Sequence, residues 1–175
     1  MALIKLNNQS LTAVSALPAG VGGKVLQVQS TTKLDTFTTT SSLIDIPGLS
    51  VTITPASTSS KILVMVQCTI SGSDAGLILQ LVRGSTEIYK ADSAGSRRTG
   101  SMVGFYSPSS PTQYGTGANH LHFLDSPSTT NATTYKVQGG VISGANAYIG
   151  RTSYDLDNNN ASRSPSTITV MEIAG

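Results

Sequence analysis

The sequence predicts an all-β fold, a single β-sandwich or jelly roll of about ten short strands with an extended N-terminal arm, and three observations carry that prediction. Apolar and hydroxyl residues alternate along short segments, most clearly in Leu49-Ser50-Val51-Thr52-Ile53-Thr54, where a period of two sends Leu49, Val51 and Ile53 to one face. Clusters of Gly, Pro, Asn and Ser break the chain between such segments. No long window repeats apolar residues at i, i+3, i+4 and i+7, and Thr and Val crowd the places where a helix would otherwise run.

Residues 1–23 come first and read as an arm and a hinge. Ile4 and Leu6 alternate with Lys5, Leu11 and Val14 follow, and Pro18-Ala19-Gly20-Val21-Gly22-Gly23 breaks any regular element. A secretory signal does not fit, because Asn7-Asn8-Gln9-Ser10 interrupts the stretch where a continuous apolar core would sit. Two readings stay open: a first strand of the domain, or an arm that docks through Ile4, Leu6, Leu11 and Val14 onto something outside its own domain. A free terminus is ordered only when it is docked, and a Gly-rich hinge after a half-apolar segment suits a docking arm, so the arm is the reading taken. The β domain then occupies residues 24–175.

Within it, Val25–Gln29 is the first strand and Leu49–Thr54 the next. Lys61–Ile70 is the longest apolar stretch and reads as a central strand covered on both faces. Leu77–Arg83, Glu87–Tyr89, Ser101–Tyr106, Asn119–Leu124, Thr133–Ile142, Ala147–Arg151 and Thr167–Ile173 follow, separated by polar loops at Ala91–Gly100, Ser107–Gly117, Asp125–Thr130 and Asp155–Ser166.

Composition narrows the function. The 175 residues carry 11 Lys and Arg against 9 Asp and Glu, a net charge of +2, and only 11% are charged, where an ordinary domain has roughly 25%. Scattered cations at so low a net charge give no footprint for nucleic acid. A single Cys allows neither an intrachain disulfide nor a cysteine-rich zinc site, and no apolar run approaches the ~18 residues that span a bilayer. The 25 Ser and 22 Thr leave a surface built from hydroxyls. Edge strands are usually guarded by charge, and a chain so short of it is expected to hide edges or sandwich faces by self-association, with a homotrimer the first form to test.

No constellation rises to an active site, so the expectation is a protein that is not an enzyme and needs no cofactor. His120-Leu121-His122 places two imidazoles on one strand face; a pair cannot complete a tetrahedral metal site, although three pairs about a threefold axis would supply six nitrogens. Polar residues on a solvent or interface face are the simpler account. Asp155-Leu156-Asp157-Asn158-Asn159-Asn160 alternates oxygen ligands as calcium loops do, but lacks Gly at the sixth position and Glu at the twelfth, so it reads as a polar loop tolerant of left-handed backbone. Cys68 sits in the most apolar strand and reads as an inert hydrophobe. Tyr106, Tyr114, Tyr148 and Tyr154 lie in or beside loops and, with the basic pair Arg97-Arg98, form the candidate contacts for a host surface glycan.

Several segments together resemble a known group. Gly23-Lys24-Val25-Leu26-Gln27-Val28, Ile46-Pro47-Gly48-Leu49-Ser50-Val51-Thr52-Ile53-Thr54-Pro55 and Ser59-Ser60-Lys61-Ile62-Leu63-Val64 look like the start of virion proteins from tailed phages of marine bacteria, cyanobacterial phages among them. Phe123-Leu124-Asp125-Ser126-Pro127, Thr133-Thr134-Tyr135-Lys136-Val137-Gln138 and Ser166-Thr167-Ile168-Thr169-Val170-Met171-Glu172-Ile173 continue the resemblance in order. It implies a structural, fibre, knob or decoration protein on the virion surface, with a head similar to the trimeric jelly rolls of tumour-necrosis-factor-like proteins. The partners it implies are further copies of the chain and other virion proteins. It transfers no catalytic or ligand residues, and a carbohydrate-binding receptor-recognition module is the alternative.

Overall fold

The computed structural model describes residues 24–40, 42–72, 77–103, 115–141 and 145–175. Among them there is no helix, and the chain forms eleven strands. These are β1 (Val25–Lys33), β2 (Phe37–Thr39), β3 (Ile44–Ile53), β4 (Lys61–Gly72), β5 (Ile78–Arg83), β6 (Thr86–Ile88), β7 (Met102–Val103), β8 (Gly117–Asp125), β9 (Thr133–Gly140), β10 (Ala147–Ile149) and β11 (Ser166–Ile173). The arm residues Ile4, Leu6, Leu11 and Val14 lie outside the described residues.

All strand pairs are antiparallel, and they make two sheets packed as a sandwich. The six-stranded sheet is organised on β4. One flank of β4 pairs along nearly its whole length with β8. The other flank pairs first with β11, which carries β1 outside it, and then, from Ile70 to Gly72, with β10, which carries β2. The five-stranded sheet runs β3-β9-β5, with β6 and β7 sharing the far side of β5.

Alternation places the core as expected. Leu49, Val51 and Ile53 of β3 point inward, as do Ile62, Val64 and Val66 of β4, Ile168 and Val170 of β11, and Leu79 and Leu81 of β5. Burying a side chain of this size contributes about 1.5–3 kcal/mol, and the inward rows of the two sheets supply one continuous cluster.

The structure corrects three strand readings. The Thr-rich segment Phe37–Thr39 is a strand, which its lack of apolar alternation concealed; it forms because β10 offers it a ladder. The strand expected to run to Ile142 ends at Gly140, where a Cβ would lie 1.6 Å from the Ser42 carbonyl oxygen. The one expected to run to Arg151 ends at Ile149, because Gly150 turns the chain at φ +75°.

A fourth correction concerns β4. It was expected to be covered on both faces, but only its far end is. Ser71 and Thr69 there are capped by the segment after β10, the Ser71 hydroxyl donating to the Arg151 carbonyl (2.9 Å) and the Gly150 N–H to the Thr69 carbonyl (2.9 Å). Leu63, Met65 and Gln67, on the outward face, stay half-buried.

One end of the core is closed by an acidic row. Asp125, Ile62 and Glu172 are register partners across β8, β4 and β11, and Glu172 pairs onward to Gln27 of β1. Both acids are buried. Asp125 accepts two hydrogen bonds from Arg83 Nη1 (2.8 and 2.7 Å) and one from the Tyr135 hydroxyl (2.7 Å), both residues of the opposite sheet. Glu172 accepts from Gln27 Nε2 (2.6 Å) and from the Ala56 N–H (2.7 Å). Burial alone would raise the Glu172 carboxyl, but its hydrogen bonds, those from Gln27 and the Ala56 amide among them, outweigh it and hold the group below its ordinary value of 4.5. Burial, reinforced by the Asp125 carboxylate, pushes the Tyr135 phenol far above its ordinary range, so it stays a donor.

Removing the acid from the cross-sheet tie leaves a buried phenol and a partly buried guanidinium without their acceptor. Asp125→Ala is expected to lose about 3 kcal/mol of unfolding free energy, whereas Lys90→Ala, which breaks an exposed pair with Glu87, changes it by under about 0.5 kcal/mol; urea denaturation measures both. The depressed Glu172 carboxyl contributes stability that is complete above pH 4.5 and is lost as pH falls through its lower folded value. Urea midpoints between pH 6 and pH 3 should therefore fall less steeply in Glu172→Gln than in the wild type.

Candidate functional site

An exposed surface among the described strands is the outward face of β1-β11-β4-β8. Register sets its rows. Val28, Met171, Leu63 and Leu124 stand side by side across the four strands; Ser30, Thr169, Met65 and His122 form the next row, and Thr32, Thr167, Gln67 and His120 the one after. Val25, Ile173 and Lys61 extend the face beyond the apolar row. Val25 and Val28 are each 49% exposed and Leu124 is 54% exposed, so the apolar row is open at both ends and half-covered in the middle.

The face is formally almost uncharged. Lys61 is the one charged residue in these rows, and its ammonium donates to the Ser126 hydroxyl (2.8 Å). Four of its hydroxyls pair across strands: those of Ser30 and Thr169 lie 2.8 Å apart and those of Thr32 and Thr167 3.3 Å. β8, which borders the face, pairs with β4 alone among the described strands, and its nine residues hold no Lys, Arg or Pro.

The other candidate residues are scattered. His120 and His122 point outward from β8, exposed, as the spacing required. Among the described residues no three His, Cys, Asp or Glu side chains come together to hold a metal. Tyr148 is half-buried on β10, and the Arg151 guanidinium lies 4.2 Å from its ring centre, covering a face that a sugar ring would use. Tyr154 is 46% exposed in the loop beyond β10. Arg97 and Arg98 are exposed in the loop between β6 and β7, on the other sheet, with Arg97 Nη1 donating to the Ala94 carbonyl (3.2 Å). Tyr106 and Tyr114 lie outside the described residues.

The Asp155–Asn160 loop borders a cavity of about 380 Å³, but the side-chain oxygens of Asp155 and Asn158 are engaged. Asp155 accepts from Arg163 Nε (3.1 Å) and Nη2 (2.8 Å), and that hydrogen bond holds its carboxyl below the usual range. Asn158 Oδ1 accepts from the Asn160 and Ala161 amides (2.9 and 3.2 Å). The loop thus turns by side-chain acceptance.

Sequence reasoning passed over Tyr89. It carries a φ of +51°, is 48% exposed, and its ring packs 5.0 Å from that of Phe123 across the gap between the two sheets. In sequence it reads as the last residue of a short strand, and it lies directly after that strand, which ends at Ile88. No protein-family model matches the chain, and no curated protein matches it.

Cys68, fully buried on β4, has its thiol pushed up to about 11 by burial, against smaller lowering effects from Ser166 and Lys33. A maleimide probe at neutral pH should leave it unlabelled in the native protein and label it promptly in urea.

Proposed function

We propose that the chain is a non-enzymatic structural protein of a tailed-phage virion, a fibre, knob or decoration protein, that self-assembles as a trimer through its sandwich and docks to the particle through residues 1–23. The ordered resemblance of residues 23–175 to virion proteins of marine tailed phages supports the setting. The observation that carries self-assembly is the exposed β1-β11-β4-β8 face, apolar in one row, half hydroxylic in the next two and bordered by β8, which pairs with β4 alone among the described strands. A face of that make-up in a lone, soluble particle component is an aggregation hazard; in a closed oligomer it is the contact. The Gly-rich composition of residues 20–23 is that of a flexible linker, which suits a symmetric head on a platform of different symmetry.

Light scattering on the purified chain at micromolar concentration should give three times the 18.1 kDa chain mass; a mass of one chain would overturn self-assembly. Deleting residues 1–23 should preserve the β-rich circular dichroism spectrum and abolish incorporation into particles, and a truncated chain that still incorporates would remove the docking role of the arm.

A further inference from the structure

We infer that the cavity between the β5–β6 turn and the β8–β9 loop binds a sugar acid, and that the Arg83 guanidinium holds the carboxylate of that ligand. The inference is independent of self-assembly and of the N-terminal arm.

Arg83 is fixed in place before any ligand arrives. Its Nη1 donates to both oxygens of the buried Asp125 (2.8 and 2.7 Å), and the Ser126 carbonyl lies 3.5 Å from the same nitrogen. No described residue bonds the other edge of the guanidinium, Nε and Nη2, and the side chain, 29% exposed, lines the cavity. Arg163 shows what such an edge takes: its Nε and Nη2 hold the two oxygens of Asp155 (3.1 and 2.8 Å). Asp125 balances one cation here, but Lys61, whose ammonium donates to the Ser126 hydroxyl (2.8 Å), brings a second. An arriving carboxylate therefore meets two cations and one acid, and that acid is already spent on Arg83 and Tyr135.

The walls select a ligand rich in hydroxyls. No aromatic or long apolar side chain lines the cavity; its side chains besides Arg83 are those of Pro127, Ala132 and three threonines. The Thr129 hydroxyl accepts from the Asn131 amide (3.1 Å), which leaves its hydrogen to donate, and the Thr133 hydroxyl donates to the Asn131 carbonyl (3.0 Å), which leaves its oxygen to accept. One donor and one acceptor thus stand beside the guanidinium, as a ring carrying both a carboxylate and hydroxyls requires. The volume, about 290 Å³, is at the low end for a ligand pocket, roughly 300–1,000 Å³, and suits one sugar ring. Gly84 forms an open side, since a Cβ there would meet nothing within 4 Å. Across the cavity Ser128 is held at φ +52°, between the lining residues Pro127 and Thr129, a backbone that non-glycine residues seldom adopt and that collects at ligand clamps.

The test is a titration of the full chain with sodium glucuronate, glucose and sodium acetate at constant ionic strength, followed by proton–nitrogen NMR at the Arg83 Nε–H and at the Gly84 and Thr134 amides. Glucuronate should move all three signals and saturate. Glucose, which lacks the charge, and acetate, which lacks the hydroxyls, should each bind about tenfold more weakly or worse. Arg83→Lys keeps a cation for Asp125 but has no two-nitrogen edge, and should weaken glucuronate about tenfold, read at the two amides, with an unchanged circular dichroism spectrum. Ala132→Trp, at an exposed lining residue outside the Asp125 tie, should obstruct the cavity and weaken glucuronate as much, and it carries the test if Arg83→Lys does not fold. A glucuronate response that does not saturate, or that glucose equals, would overturn the site. Acetate binding as tightly as glucuronate would overturn the sugar as the ligand. Wild-type affinity in folded Arg83→Lys would overturn the role of the guanidinium, and in Ala132→Trp it would overturn the cavity as the place of binding.

Discussion

Two buried acids organise one end of this sandwich, and the way they are satisfied ties the sheets together. Asp125 and Glu172 flank Ile62 on the inward side of the six-stranded sheet, where alternation would place apolar residues. A carboxylate there is tolerable only with full hydrogen bonding. Asp125 obtains it from Arg83 and Tyr135, register partners on β5 and β9 of the other sheet. Glu172 obtains it from Gln27 and from the Ala56 amide in the loop joining β3 to β4, and so from another connection between the sheets. Apolar packing between sheets permits sliding; these directional bonds admit one offset, and so fix how the two layers stack.

The opposite end of β1 uses a cation in the same manner. Lys33 is buried, its stem running beneath Gly48 and its ammonium reaching out to Asp35 (2.8 Å), which that bond holds below the usual carboxylate range. Its register partner Ser166 accepts from the Thr69 amide of β4 (3.1 Å). The buried charges among the described residues, Lys33, Asp125 and Glu172, therefore stand at the ends of the inward rows.

The sandwich was legible because its signal is local. Period-two alternation in Leu49–Thr54 and Thr167–Ile173 states which residues face inward, and that holds whatever the partner strand is. Pairing order was not legible, since Lys61–Gly72 has neighbours from three separate parts of the chain and nothing in its own residues names them. β2 escaped because Phe37–Thr39 depends on β10, over a hundred residues later, for its ladder. The inward acids did leave a mark: Ile168, Val170 and Glu172 share one parity, and an acid continuing an apolar series signals a buried partner elsewhere. Among the described glycan candidates, Tyr148 and Arg97 lie apart for a related reason: one is on β10 and the other in the loop between β6 and β7, strands of different sheets.

The hydroxyl-rich composition takes on a more specific meaning at the level of cross-strand pairs. Thr52 with Thr134 on one sheet, and Ser30 with Thr169 on the other, bond hydroxyl to hydroxyl at 2.8 Å. Such pairs contribute modestly to the sheet, about 0.2–1 kcal/mol each, but they alter what the surface can do. A charged residue resists being covered because its hydration must be replaced. A hydroxyl whose partner is the neighbouring strand keeps that partner when water leaves. A strand surface of paired Ser and Thr is thus polar enough to stay in water and cheap enough to desolvate, which is what a face must be if the same molecule is to exist both free and assembled. On this sheet the paired hydroxyl rows lie directly beside the apolar row, so the surface that gains from contact and the surface that does not oppose it are one continuous face.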